Sequence, residues 1–145
     1  MQAEIIKFER IKDEFSQLNI AQIGSGINFE PKRLIWLDGF ESGKYGRLRG
    51  KRKSKASKLC KQIVIPVRGS FVSVVRHFEK PDVEKVFYLA NPSEGLYFPP
   101  MAWRSIQSVS GGAVLLVICS ELHDESDWIR DLDEWRDRCD QIQST

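Results

Sequence analysis

The sequence has few of the residues that build metal sites and disulfide frameworks. Its 145 residues include only two histidines, His77 and His123, and three cysteines. Cys60, Cys119 and Cys139 are odd in number and show no Cys-x-x-Cys spacing, so neither a disulfide framework nor a zinc site is expected. Two histidines are also too few for a histidine-rich cage. We therefore predict a protein that holds no metal.

Long apolar runs are absent as well. The longest unbroken run, from Ala113 to Cys119, is far shorter than the roughly 20 residues of a membrane helix. The first residues contain no apolar region typical of a signal peptide. At 145 residues with 41% apolar content, the chain is large enough to bury a core. These features predict one cytoplasmic domain over residues 1–145 that does not associate with a membrane.

The near-neutral net charge of +2 conceals two opposed segments. The basic segment, residues 44–61, contains nine lysines or arginines and no acid. The acidic segment, residues 121–140, contains nine acids and three arginines. The basic segment could neutralise a diphosphate, contact nucleic acid without sequence preference, or be a solvated loop. The acidic segment is adequately explained as the polar face of a helix.

Short β-rich runs separated by turn residues dominate the chain up to about residue 120, which is typical of a sandwich or barrel. The Arg68-Gly69 turn could join two of them as a hairpin, and the run Ala113–Cys119 is typical of a strand buried on both faces. The predicted strands are Glu4–Phe8, Leu18–Gln22, Lys32–Leu37, Tyr45–Leu48, Lys61–Val67, Ser70–His77, Lys85–Leu89, Leu96–Phe98, Trp103–Val109 and Ala113–Ser120.

The last part of the chain changes to a helical period. Trp128, Leu132 and Trp135 recur at helical spacing, and Ser126 or Asp124 could cap the start. We predict a helix over about residues 127–139 that packs on the sheet.

Three segments together resemble one family of small sugar isomerases. They are Gly95 to Trp103, Ala113 to Glu121, and Asp124 to Arg130, and the turn Gly69-Ser70 fits the same pattern. The chain resembles the WxcM-like dTDP-4-keto-6-deoxyglucose 3,4-ketoisomerases over nearly its whole length.

The resemblance implies an all-β fold, a double-stranded β-helix (cupin or jelly roll) with a C-terminal α-helix. It also implies a homodimer whose N-terminal strands pair across the subunits, and a site inside the barrel that uses no metal or other cofactor. The family moves a ketone from C4 to C3 of a dTDP-linked keto-deoxyhexose. A base removes the proton alpha to the carbonyl, an enediol forms, and a proton returns to the neighbouring carbon.

The sequence departs from the family at the base. Counting back from Gly69-Ser70, the family's His-Ala-His motif falls on Lys55-Ala56-Ser57. An imidazole titrates near neutrality, whereas a solvated lysine stays protonated and a serine hydroxyl is a poor base. Burial or neighbouring cations would have to lower the pKa of Lys55 before it could act. The candidate catalytic residues are Lys55, Ser57, Tyr97 and Arg104.

Six further residues are candidates for substrate binding. Arg104 resembles one branch of the family, in which the residue after the conserved tryptophan is arginine, and Phe15 stands where that branch carries tyrosine. Trp36 replaces a family tyrosine, and Arg52 lies near a family arginine, with Arg49 as a rival. Tyr97 and Trp103 could instead be ordinary core aromatics. The predicted binding residues are Phe15, Arg33, Trp36, Arg52, Gln62 and Trp103.

Two functions of different classes remain open at this point. One is a nucleotide-sugar ketoisomerase or related epimerase with altered acid and base residues. The other is a non-catalytic carbohydrate-binding or regulatory cupin that keeps the pocket. Nucleic-acid binding through residues 44–61 is a third alternative, and we do not expect it.

Overall fold

The computed structural model describes residues 2–49 and 52–144. Its first nine strands are β1 Glu4–Lys7, β2 Glu9–Lys12, β3 Gln17–Ile20, β4 Gln22–Ile23, β5 Gly26–Ile27, β6 Arg33–Leu37, β7 Tyr45–Gly46, β8 Ala56–Ser57 and β9 Gln62–Arg68. They are followed by β10 Phe71–His77, β11 Lys80–Leu89, β12 Glu94–Phe98, β13 Trp103–Gln107, β14 Val109–Ser110, β15 Val114–Cys119, β16 Trp128–Ile129 and helix α1 Leu132–Gln143.

Two antiparallel sheets form the body of the protein. The larger has the strand order β1-β12-β9-β15-β6 and the smaller β11-β10-β13. Alternate residues of each sheet meet in a shared apolar core, to which β10 contributes Phe71 and Val75 and β15 contributes Leu115. Their β-branched and aromatic character suits a pleated surface that is buried on one face. The predicted architecture of β-strands followed by one C-terminal helix is confirmed.

The Arg68-Gly69 turn is a corner between the sheets, so the predicted hairpin is wrong. Strand β9 pairs with β12 and β15, whereas β10 pairs with β11 and β13. Gly69 has a φ of +81°, and a Cβ atom there would lie 2.4 Å from the Ser110 Oγ. Only glycine tolerates both the conformation and the close approach. Local turn chemistry predicted a reversal correctly but not the sheet that each strand would join.

A second correction concerns the predicted strand Trp103–Val109. Ser108 adopts a φ of 52°, which ends β13 at Gln107 and lets β14 pair with β7 instead. The predicted strand Lys85–Leu89 in turn begins earlier, at Lys80. It includes Pro81, which is tolerated because β11 is an edge strand.

Strand β15 is buried on both faces, as predicted. Leu115 and Val117 point into the core between the sheets. Ile118, which follows Val117, points to the opposite face and belongs to a second cluster with Phe8 and Ile65. A layer of N-terminal residues covers this outer face, so the larger sheet has apolar neighbours on both sides.

The C-terminal helix begins later than predicted. Residues Glu125–Asp127 form a single 3-10 turn that Asp124 caps, and Trp128–Ile129 form β16, which pairs with β8. Helix α1 then starts at Leu132, where the Asp131 carboxylate accepts the Glu134 N–H. The predicted helix began too early because Trp128 and Ile129, which fit the helical period, belong to strand β16. Within the two described ranges, no helix combines the length and apolar character needed to cross a bilayer.

Candidate functional site

A cavity of about 460 Å³ opens between the two sheets at the end where β8, β13 and β16 meet. Among the residues that the structure describes, its wall combines six cationic side chains with apolar ones. The cations are Arg33, Arg52, Lys53, Lys55, Arg104 and Arg130, and the other lining residues are Ile35, Leu37, Leu48, Gln62, Val64, Phe98, Ile106, Val117, His123, Glu125 and Trp128. An anionic ligand with an apolar portion fits such a wall.

Strand alternation decides which side chains of the larger sheet reach the cavity. On β6, Arg33, Ile35 and Leu37 line it, and Trp36 lies on the opposite face, 67% exposed. On β12, Phe98 lines the cavity, whereas Tyr97 is buried in the outer cluster. Successive side chains of a strand point to opposite faces, so the predicted residues Trp36 and Tyr97 lie outside the cavity wall.

Lys55 and Arg104 are backbone partners at the floor of the cavity. Each N–H donates to the other residue's carbonyl oxygen at 3.0 Å, so the two side chains leave the pair on the same face. Both approach Trp128 of β16. The Lys55 Nζ lies 4.4 Å from the ring centroid and the Arg104 Cζ lies 5.0 Å from it. Cation–π attraction to one indole ring therefore holds both cations in place.

Burial weakens the protonation of both cations. The Lys55 pKa is lowered to about 8, first by burial and then by the nearby charges of Arg104 and Arg130. Burial likewise lowers the pKa of Arg104 to about 10. Desolvation and like charges both disfavour a cation. The floor of the cavity is therefore crowded with positive charge, and its lysine amine is partly neutral near pH 7.

Gln62 is the side chain that holds Arg104. The Arg104 guanidinium donates to the Gln62 Oε1, and the Gln62 Nε2 donates to the Cys119 Sγ at 3.3 Å. The Cys119 thiol contacts that of Cys60, and this hydrogen bond lowers the pKa of Cys60. Among the described residues, the Arg104 Nη1 is buried and has no hydrogen-bond partner. One nitrogen of this buried guanidinium is thus left for a ligand.

Asp127 fixes the loop that follows β8. Its carboxylate accepts the backbone N–H groups of Leu59 at 2.7 Å and Cys60 at 3.1 Å, and its own carbonyl oxygen accepts the Lys58 N–H. These bonds dock the segment that precedes β9 against the segment that leads into β16. They therefore set the position of Trp128 relative to Lys55.

The rim of the cavity carries one acid, which is already paired. The Arg130 Nε donates to the Glu125 Oε1 at 2.8 Å, and its Nη2 donates to the Oε2 at 3.1 Å. Arg52 and Lys53 of the basic segment also line the wall. Within the described ranges, no three histidine, cysteine, aspartate or glutamate side chains lie close enough to hold a metal ion.

The structure brings half of the predicted site residues together. Lys55, Arg104, Arg33, Arg52 and Gln62 line the cavity. The other five, Ser57, Tyr97, Trp103, Trp36 and Phe15, do not appear on its wall.

The reasons differ for the three residues of that second group not yet described. The Ser57 hydroxyl is fully buried and donates to the Cys60 carbonyl oxygen at 2.7 Å. The Trp103 ring packs on Trp135, with 5.8 Å between ring centroids. Phe15 lies in the turn between β2 and β3 and is 93% exposed.

Sequence reasoning missed several residues of the wall. Trp128, Arg130, Glu125 and Lys53 were not among the candidates, although all line the cavity. The segment from Asp124 to Arg130 was the available signal, because it carried part of the family resemblance. Its assignment to the start of a helix concealed the strand pairing that brings Trp128 over Lys55.

Comparison with known proteins agrees with this geometry. The profile of the WxcM-like, C-terminal family (FdtA) matches residues 1–140. The chain belongs to this WxcM-like family. It is 24% identical over 136 residues to the TDP-4-oxo-6-deoxy-alpha-D-glucose-3,4-oxoisomerase of Aneurinibacillus thermoaerophilus, covering 94% of this chain and 91% of that one.

Two solved structures show the same fold as this chain. The 3,4-ketoisomerase QdtA of Thermoanaerobacterium thermosaccharolyticum, a histidine-to-asparagine variant crystallised with TDP-4-keto-6-deoxyglucose, is 31% identical, with a TM-score of 0.84 over 97% of this chain and 95% of that one. The rmlC epimerase of Mycobacterium tuberculosis is 13% identical, with a TM-score of 0.66 over 87% and 66% of the two chains. At that identity the second likeness concerns the fold alone. The predicted cupin fold is confirmed.

Proposed function

We propose that this protein binds a nucleotide-linked keto sugar in the cavity between its sheets. The observation that carries the proposal is the wall itself, with six cations against a single acid that is already paired. A nucleoside diphosphate supplies negative charge for the guanidinium groups, which bind phosphate oxygens well. The relatives that bind TDP and TDP-4-keto-6-deoxyglucose make a dTDP-linked keto-deoxyhexose the first ligand to test.

We further propose that Lys55-Ala56-Ser57 stands where the family has His-Ala-His, and that Lys55 is the acid and base of a 3,4-ketoisomerase. With a pKa of about 8, roughly 10% of this amine is neutral at pH 7. The neutral amine would take the proton from C3 of a 4-keto sugar, and the ammonium would return it to C4. Arg104 would stabilise the enediolate oxygen through its unpartnered nitrogen.

The alternative proposal is a non-catalytic binding or regulatory protein. The observation in its favour is that two of the predicted catalytic side chains do not reach the cavity: the Ser57 hydroxyl is buried and donates to a carbonyl oxygen, and Tyr97 lies in the outer cluster. Nucleic acid stays the third alternative. Arg52, Lys53 and Lys55 line the interior of the cavity, which removes three cations of the basic segment from any flat surface that a nucleic acid would contact.

One experiment separates these proposals. The protein is incubated with dTDP-4-keto-6-deoxyglucose in heavy water, deuterium at C3 is followed by NMR, and dTDP binding is measured by calorimetry. Isomerase activity predicts exchange that Lys55→Met abolishes. Lys44→Met, a change of a lysine outside the cavity wall that pairs with Glu41, should preserve it. Binding without exchange would support the non-catalytic protein. Absence of dTDP binding would rule out both.

We also propose that the protein is a homodimer. The outer face of β6 exposes Leu34 and Trp36, and the β2–β3 hairpin exposes Ile11, Phe15 and Leu18. Exposed apolar side chains on an edge strand and on a hairpin are typical of surfaces that a second copy of a chain covers. Sedimentation should give a dimer for the wild type and a monomer for Trp36→Asp, whereas Tyr88→Asp, an exposed aromatic on β11, should leave the dimer intact.

A further inference from the structure

The floor of the cavity has positive charge without a counter-ion. Lys55 and Arg104 leave one backbone pair on the same face and share the Trp128 ring. Within residues 2–49 and 52–144, neither forms an ion pair with a carboxylate. A buried cation is costly unless it is paired, and the Arg104 Nη1 is buried without a hydrogen-bond partner. This arrangement is complete only when an anion lies beside the two side chains.

We propose that Lys55 is a site of reversible carbamylation by carbon dioxide. In this reaction the neutral Nζ attacks the carbon of CO₂, an N–C bond forms, one C–O π bond breaks, and a proton leaves for solvent. The product is a lysine carbamate, which carries one negative charge where the ammonium carried a positive one. No oxidant, reductant or activated donor is required.

The surroundings of Lys55 meet the requirements of this chemistry. The amine is in contact with a cavity that CO₂ can enter, it lies against the apolar surface of Trp128, and desolvation beside other cations is a recognised way to activate a lysine nucleophile. The charges that act on it are those of Arg104 and Arg130, followed by Arg33 and the Cys119 thiol. All three arginines favour an anion at this position, and the Arg104 Nη1 can donate to a carbamate oxygen.

Lys53 is the matched control within the same cavity. It also lines the wall, but its side chain is exposed and does not share the Trp128 ring with Arg104. Water can solvate the charge of an exposed amine, so this position has no need of a neighbouring anion. The proposal therefore predicts that Lys55 forms a carbamate and that Lys53, two residues away, does not.

Carbamylation would give the floor of the cavity a proton acceptor at Lys55, where the side chain is otherwise a cation. A carbamate oxygen accepts a proton at neutral pH, which the ammonium of Lys55 cannot do. This consequence rests on the proposed ketoisomerase function, whereas formation of the carbamate does not. The carbamate would then remove the proton from C3, and Arg104 would hold both the carbamate and the substrate oxygen.

The test is ¹³C NMR of the whole protein in buffer with ¹³C-bicarbonate between pH 7 and pH 9. The α-amine is an internal reference, because it also forms a carbamate in this pH range. We expect a second carbamate resonance that disappears in Lys55→Met and persists in Lys53→Met. Trapping with trimethyloxonium, followed by peptide mass spectrometry, should then find a methyl carbamate on Lys55. Circular dichroism checks that both variants fold.

Two results would overturn the proposal: a spectrum with the α-amine resonance alone at saturating bicarbonate, or a second resonance that survives Lys55→Met. The deuterium-exchange assay, run with and without bicarbonate, separates this inference from the proposed function. A carbamate without exchange supports carbamylation and contradicts the isomerase. Exchange that is unchanged in CO₂-free buffer, with no carbamate at Lys55, supports the free amine as the base and contradicts carbamylation.

Discussion

Lys55 and Arg104 exchange two backbone hydrogen bonds of 3.0 Å and place both cationic side chains against the ring of Trp128. Three separate parts of the chain meet in this contact: the basic segment, strand β13 and the short strand β16. Lys55 and Arg104 lie far apart in the sequence, so the sequence alone does not predict that they pair. Their closeness makes the floor of the cavity positive, and burial together with the charge of Arg104 lowers the pKa of Lys55.

The first prediction concerns nucleotide binding by the basic segment. Arg52 lines the cavity, whereas Lys44 lies outside it and pairs with Glu41 at 3.2 Å on an exposed surface. We expect Arg52→Ala to weaken dTDP binding about tenfold, since a charge-assisted hydrogen bond contributes about 1.5–3 kcal/mol. Lys44→Ala should leave the affinity unchanged. Equal losses in both variants, measured by calorimetry, would indicate general charge attraction in place of a defined contact.

The second prediction concerns the stability penalty at Lys55. Its pKa is about 8 in the folded protein against 10.5 as its ordinary value, so the unfolded chain binds more protons between these two values. Below pH 8 the charged Lys55 lowers the free energy of unfolding by its full amount. This penalty decreases as pH increases from 8 to 10.5.

In CO₂-free buffer at pH 7, Lys55→Met should raise the free energy of unfolding by about 1–3 kcal/mol, after allowance for the lost cation–π contact. Urea unfolding at pH 7 and pH 10.5 measures the effect, which should shrink at the higher pH. Lys53→Met is the control and should show no gain. A destabilised Lys55→Met variant would contradict the assignment of an unpaired cation.

The third prediction concerns Asp127, whose carboxylate accepts two backbone N–H groups of the loop after β8. Asp127→Ala leaves both donors without this partner and should lower the free energy of unfolding by about 2–4 kcal/mol. Because the loop positions β8 against β16, dTDP affinity should fall as well. Asp124→Ala, which removes an exposed cap, should cost about 1 kcal/mol or less. Similar urea midpoints for the two variants would refute the anchoring role of Asp127.

The fourth prediction concerns His77, whose Nε2 accepts the Ala3 N–H at 2.8 Å. Burial, followed by the charge of Lys85, lowers the pKa of His77 from 6.5. As pH falls, the histidine is protonated in the unfolded chain at a higher pH than in the folded protein. Its full contribution to the free energy of unfolding is therefore present above pH 6.5 and is lost below it.

Protonation removes the acceptor and should release the first residues of the chain at a cost of about 1 kcal/mol. The protection factor of the Ala3 amide, which is its intrinsic exchange rate divided by its measured rate, should decrease between pH 6.5 and pH 5. His77→Gln, which offers an oxygen acceptor that does not titrate, should remove this decrease, and His123→Gln should retain it. An identical pH profile in His77→Gln would assign the effect to another group.

The amino-acid sequence determined the elements that depend on local pattern. β-Branched runs with period two gave the core strands β9, β10 and β15, and the run Ala113–Cys119 was correctly assigned as a strand with apolar neighbours on both faces. The turn at Gly69 was also predictable, because few other residues adopt the positive φ that this turn requires. Five candidate site residues also reached the cavity.

Tertiary structure decided what local pattern cannot encode. Strand alternation turned Tyr97 and Trp36 away from the cavity, and pairing with β8 converted two residues of a predicted helix into β16. These outcomes depend on register and on long-range hydrogen bonds, which outweigh intrinsic preference over a few residues. The same pairing brings Trp128, Lys55 and Arg104 together. The sequence supplied the cations, but only the fold placed them side by side, with no carboxylate of residues 2–49 or 52–144 paired to either.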